Sequence, residues 1–116
     1  MRHHDNIRKF GRPTDQRRAL LRSLAEGLIE NGKIKTTEAK AKELRPFIEK
    51  LVTTAKKGGV SAKRLAISTL GTVKRTEKLF KEIAPKYADR AGGYTRIVKL
   101  PVRPSDGSKM AVIEFV

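Results

Sequence analysis

His3 and His4 are the only histidines of this 116-residue chain, and they stand side by side with Asp5 next to them. An imidazole beside a carboxylate is the minimum for general acid–base work. That work also needs a shaped, water-poor pocket to tune the proton affinity, and residues 1–13 carry too few apolar groups to build one. His3, an amino terminus and two backbone amides form a square-planar donor set for Cu(II) or Ni(II). Any chain with histidine third has that capacity, so no metal is assigned. Gly92-Gly93 leads into a strand pattern rather than a helix, with no Lys-Ser or Lys-Thr behind it, which excludes a phosphate-cradling loop. The acids are scattered, mostly at helical spacing from a cation; Glu38 with Lys42 is the favoured order of an ion pair four residues apart. Cysteine is absent, so disulfides and thiolate metal sites are excluded. No enzyme, cofactor or small-molecule substrate is expected.

The cations tell more. Lys and Arg number 27 against 12 Asp and Glu, a formal charge of +15. A small fold with that much self-repulsion calls for a polyanion, and nucleic acid is the commonest one. The excess is spread along the chain: residues 1–25 hold seven basic and two acidic side chains, residues 31–64 ten and three, residues 65–116 ten and five. Such dispersal suits a protein embedded in its partner. Four groups are candidates for RNA contact. The first is Arg2, Arg8, Lys9 and Arg12, with His3 beside them. The second is Arg17, Arg18 and Arg22 on the first helix, and the third is Lys33, Lys35, Lys40, Lys42 and Arg45. The fourth is Gly92-Gly93-Tyr94-Thr95-Arg96, where glycines admit a phosphate close to the backbone beside an aromatic ring and the Arg96 guanidinium. The competing reading of that motif packs Tyr94 in the core and uses the glycines as a helix stop. Lys74, Lys78 and Lys81 read as a solvated helix face as readily as an RNA contact.

Sequence-specific duplex reading is not expected. There is no zinc-ligand spacing, zipper or helix-turn-helix, and at 5% aromatic residues stacking platforms carry little of the affinity. Phosphate and shape contacts to a structured RNA remain. With about eight phosphates neutralised, affinity falls by roughly three orders of magnitude between low and physiological salt.

The elements that must position these groups follow from periodicity. Residues 1–13 show no helical or strand period and form a basic arm; residues 14–116 form a single globular domain. Thr14 or Asp15 caps a first helix that stops at Asn31-Gly32 and buries Leu20, Leu21, Leu24 and Leu28. A short strand spans Lys33–Thr36. Thr37 caps a second helix burying Ala41, Leu44, Ile48, Leu51, Val52 and Ala55, which Pro46 should kink or split near Arg45. Ser61–Leu70 is a third helix. A fourth starts near Thr72, buries Val73, Thr76, Phe80, Ile83 and Ala84, and is ended or bent by Pro85. Tyr94–Val102 and Lys109–Val116 read as strands joined by a loop rich in turn formers, the last one central or covered on both faces. The expected fold is α+β: a two-layer domain with a small mixed sheet backed by helices. No run is apolar enough to span a bilayer and no signal peptide is present, so a cytosolic protein with no membrane partner is expected.

Met1-Arg2-His3, Lys9-Phe10-Gly11-Arg12, Ile34-Lys35-Thr36-Thr37 running into Ala39-Lys40-Ala41-Lys42-Glu43-Leu44-Arg45, Leu79-Phe80, and Gly92-Gly93-Tyr94-Thr95-Arg96-Ile97 occur in one order and spacing. Together they resemble the bacterial large-subunit ribosomal protein L17 family over essentially the whole chain. The resemblance implies a non-catalytic constituent of the large subunit, bound to its ribosomal RNA near the exit of the nascent-peptide tunnel and beside neighbouring ribosomal proteins. His4-Asp5-Asn6-Ile7 and Pro13-Thr14-Asp15-Gln16 depart from the family pattern and lower the charge of the arm, whereas Arg2, His3, Arg8, Arg12, Arg17 and Arg22 match it. The alternative reading is a free-standing basic nucleic-acid-binding protein of nucleoid or RNA-chaperone type.

Overall fold

The helices and strands form where the apolar spacing demands, and one core joins them. A computed structural model describes residues 14–116. Its elements run α1 (Thr14–Asn31), β1 (Lys33–Thr37), α2 (Glu38–Lys57), α3 (Gly59–Leu70), α4 (Val73–Lys78), β2 (Thr95–Leu100) and β3 (Met110–Phe115). The α4 helix continues through a wider π turn, Leu79–Ile83, into a 3-10 turn, Ala84–Tyr87, that holds Pro85 near its start.

The strands form one sheet in the order β1-β3-β2. Both pairings are antiparallel, with Ile34 opposite Ile113 and Ile97 opposite the same residue, so the expected mixed sheet is corrected to a wholly antiparallel one. A mixed sheet needs a parallel pair of neighbours; β1 and β2 do run parallel, but β3 lies between them and pairs antiparallel with each. The apolar last strand is central, as its composition indicates.

Side chains alternate across the sheet. Ala111 and Ile113 point to the helical layer and are fully buried there with Leu28, Leu44, Ile48, Val52 and Leu79. The other face carries Val98, 43% exposed, and the half-buried Val112, and among the described residues no helix lies over them. Among the described residues the helical layer thus packs on one side of the sheet, and of the other side Met110 alone is buried.

Three expectations change in detail. Pro46 lies inside α2 but does not split it, because the buried side of that helix packs continuously from Ala41 to Ala55 while Pro46 itself is exposed. In α1 the fully buried residues are Ala25, Leu28 and Ile29; Leu20, Leu21 and Leu24 are only half-buried, Leu24 against the edge of the core and Leu21 in a solvent-open groove. Val73 is 53% exposed and Leu79 takes its place in the interior. Val73 is the first residue of α4, and the inward side runs from Thr76 through Leu79 to Ile83 and Ala84 at helical spacing.

Candidate nucleic-acid interface

The open face of the sheet gathers cations from distant parts of the sequence. Register sets Lys33 opposite Glu114 and Glu114 opposite Arg96, while Lys35 faces Val112 and Val112 faces Val98. Lys33, Lys35, Val98, Val112 and Glu114 line a shallow groove of about 390 Å³ on this face. Arg96 Nε donates to Glu114 at 2.9 Å, so one acid is shared within a row that also holds Lys33. This face thus bears three cations around the exposed Val98 and the half-buried Val112.

A second group surrounds the start of α2. The Thr37 hydroxyl accepts from the Lys40 amide at 3.4 Å and caps the helix. Glu38 pairs with Lys42 at 2.8 Å and lies 3.9 Å from Lys99. The hydrogen bond from Lys42, joined by the charges of Lys42, Lys99 and Lys109, holds the Glu38 carboxyl below the ordinary carboxylate range against some desolvation. Three lysines around one acid leave a local positive excess. The expected cluster of Lys33, Lys35, Lys40, Lys42 and Arg45 is thus divided between the sheet face and the helix start. Lys99 and Lys109 carry no periodic signal that would point to them, because they reach the start of α2 only through the pairing of β3 with β1 and with β2.

The Gly-Gly-Tyr-Thr-Arg segment is built into the interior. Gly93 has φ +63°, a left-handed turn in which glycine is favoured, and the chain then enters β2. Tyr94 is 1% exposed. Its ring lies 5.2 Å from that of Tyr87, centroid to centroid, and Lys56 Nζ sits 5.1 Å from its centre. Lys56 Nζ donates to the Tyr94 hydroxyl at 3.0 Å and also to the Arg90 carbonyl. Hydrogen bonding with Thr53 and then Lys56, with the Lys56 charge, lowers the Tyr94 pKa. The next residue, Thr95, donates its hydroxyl and its amide to Glu49 at 2.8 and 3.3 Å, and Arg45 lies 3.7 Å from the same carboxylate oxygen. Of this motif, the core claims Tyr94 and Thr95 and the surface keeps Arg96.

Arg22 is engaged within the molecule. Its Nε and Nη2 donate to the carbonyls of Thr69 and Ser68 at 2.9 and 3.3 Å, at the end of α3. A guanidinium there satisfies free carbonyls at the negative pole of that helix. Lys78 does the same for α1, donating to the Glu30 carbonyl at 2.9 Å. By contrast, no ion pair joins Arg17, Arg18, Lys33, Lys35 or Lys40 to an acid among the described residues. Arg2, His3, Arg8, Lys9 and Arg12 lie outside the described residues. Among those described, no group of three metal-ligating side chains occurs, and no helix is long and apolar enough to cross a membrane.

Comparison with known proteins bears on what this charge distribution serves. A family model described as Ribosomal protein L17 matches residues 20–116. The chain belongs to the ribosomal protein L17 family. Its relatives include the large ribosomal subunit protein bL17 of Gemmatimonas aurantiaca, 53% identical over 116 residues, covering 100% of this chain and 98% of that one. The bL17 of Campylobacter lari is 51% identical over 116 residues, covering 100% and 99% of the two chains. That of a Hydrogenobaculum species is 52% identical over 117 residues with the same coverage. Membership sets this L17-family chain among ribosomal proteins and not among enzymes.

Proposed function

We propose that this chain is a structural constituent of the bacterial large ribosomal subunit, held on its ribosomal RNA by phosphate and shape contacts near the nascent-peptide tunnel exit, in the cytoplasm. The observation that carries the reading is the family match across the chain, joined to a +15 charge distributed over several surfaces. Residues 14–116 act as one body and residues 1–13 as a basic arm that follows the RNA. Within the body, Lys33, Lys35 and Arg96 face phosphates from the open sheet. Lys40 and Lys42 do so from the start of α2, Arg45 from its exposed side, and Arg17 and Arg18 from the first turn of α1. Arg22 has its guanidinium on α3 and contributes through the placement of that helix. Arg2, His3, Arg8, Lys9 and Arg12 supply the contacts of the arm. Neighbouring ribosomal proteins complete the environment.

Sedimentation decides the reading. At physiological salt the protein should travel with large subunits through a sucrose gradient; a protein that stays wholly at the top of the gradient sinks it. Competition separates the alternative of a free-standing nucleoid or chaperone protein: ribosomal RNA should displace the bound protein far better than arbitrary duplex DNA does.

A further inference from the structure

An apolar groove of about 390 Å³ opens between α1, α2 and α3, on a different part of the molecule from the open sheet face. Leu21, Pro46, Phe47 and Leu65 give it apolar walls, and Lys50 and Thr69 stand among them. Phe47 and Leu21 are half-buried and Leu65 is 59% exposed, so these side chains meet solvent in the free protein. The volume falls within the roughly 300–1,000 Å³ range of pockets that take small ligands. Apolar side chains left open to solvent in one groove make it a candidate interaction site.

Charge selects the occupant. Helical spacing sets Arg17 and Arg18 one turn before Leu21 on α1, and Lys57 one turn beyond Thr54, another lining residue, on α2. With Lys50 inside, the cations along the rim outnumber the lining acid, Glu43. A second copy of this chain brings +15 to the same place, and residues 1–13 bring Arg2, Arg8, Lys9 and Arg12 against Asp5. Both are repelled. An apolar floor with a flat aromatic ring and a cationic rim is complementary to a nucleotide, whose base is apolar on its faces and whose phosphate is anionic. We infer that the groove between α1, α2 and α3 receives an unpaired base of the bound RNA, stacked on Phe47, with its phosphate against Lys50. This rests on the RNA-binding reading above and adds a local readout to phosphate contacts that carry none.

The test uses the full-length protein and a transcribed bacterial large-subunit ribosomal RNA. Short-wave ultraviolet irradiation, digestion and mass spectrometry should find nucleotide adducts on peptides spanning Pro46–Lys50 or Leu65–Thr69. Phe47→Leu keeps the apolar volume and removes the stacking face. It should weaken binding about fivefold or more with the salt slope unchanged and the melting temperature nearly so. Lys50→Ala should reduce the salt slope by about one. Adducts confined to other peptides, or an unaltered affinity for Phe47→Leu, overturn the pocket. So does an effect of Phe47→Leu that vanishes once residues 2–12 are deleted, since the groove then holds that segment. A dimer that Phe47→Leu dissolves, or cross-links in intact subunits joining the groove to protein alone, overturns it as well. If the full chain binds no ribosomal RNA, the proposed function falls too; if binding persists with Phe47→Leu unchanged, only the base pocket falls.

Discussion

Tyr87 and Tyr94 touch, yet their hydroxyls answer to opposite influences. Tyr87 donates to the Val116 carbonyl at 2.8 Å, and burial raises its pKa. Tyr94 is drawn the other way, by Thr53 first and then by Lys56. For Tyr87 the folded value exceeds the unfolded one near about 10, so its contribution to stability is whole below that pH and is lost as pH climbs past it. For Tyr94 the folded state favours the phenolate, so ionisation there does not oppose folding. An alkaline titration followed by ultraviolet difference spectra should show Tyr94 ionising first and Tyr87 only together with unfolding. A single step for both rings in the folded protein contradicts this. Arg22 supplies a second case at this scale. Arg22→Ala should cost about 1 kcal/mol of stability, because two carbonyls at the end of α3 lose a charged donor. Chemical denaturation checks it, and Arg22→Lys should recover only part, having a single ammonium where two nitrogens now donate.

Between elements, the sheet has one dry face and one wet face, and substitutions should respect the difference. Ile113→Ala, on the helical side of β3, removes a fully buried side chain and should cost about 2–5 kcal/mol. Val98→Ala, on the open side of β2, should stay within about 0.5 kcal/mol by the same denaturation measurement. Similar losses at the two positions would mean that both faces are covered. The buried side of α2 was legible from spacing alone, because Ala41, Leu44, Ile48, Leu51, Val52 and Ala55 repeat at helical intervals and all are buried. What spacing could not convey was tertiary. Pro46 is tolerated because its neighbours pack; Val73, at the very start of α4, lies outside the core that Thr76, Leu79 and Ile83 enter, and residue type alone does not mark that boundary. Arg22 illustrates the same limit for the candidate site. Its place opposite the apolar stripe suggested an outward cation, but the carbonyls it meets belong to a helix some forty-six residues later. Lys33 and Arg96 likewise share a face only through β3, which lies between their strands.

Over the whole molecule, charge outweighs packing in deciding what the chain can join. The core is modest and shared among four helical segments and three strands, while cations cover the sheet face, the start of α2 and the amino-terminal part of α1. Removing residues 2–12 deletes four of the 27 cations. It should weaken binding to ribosomal RNA and flatten the salt dependence, since each lost phosphate contact lowers the slope by about 0.9 on a duplex. The melting temperature of the remainder should hardly move. A large drop in melting temperature would show instead that the segment belongs to the core.

β3 stands between β1 and β2 in space but follows both in the chain. While the protein is being synthesised, therefore, neither earlier strand has its hydrogen-bonding mate. A product that ends before Met110 lacks the strand on which Ile34 and Ile97 pair, and its sheet cannot form. A chain truncated before Met110 should therefore be cleaved far faster than the full chain in limited proteolysis, and equal resistance of the two would show that the helices hold together without the sheet.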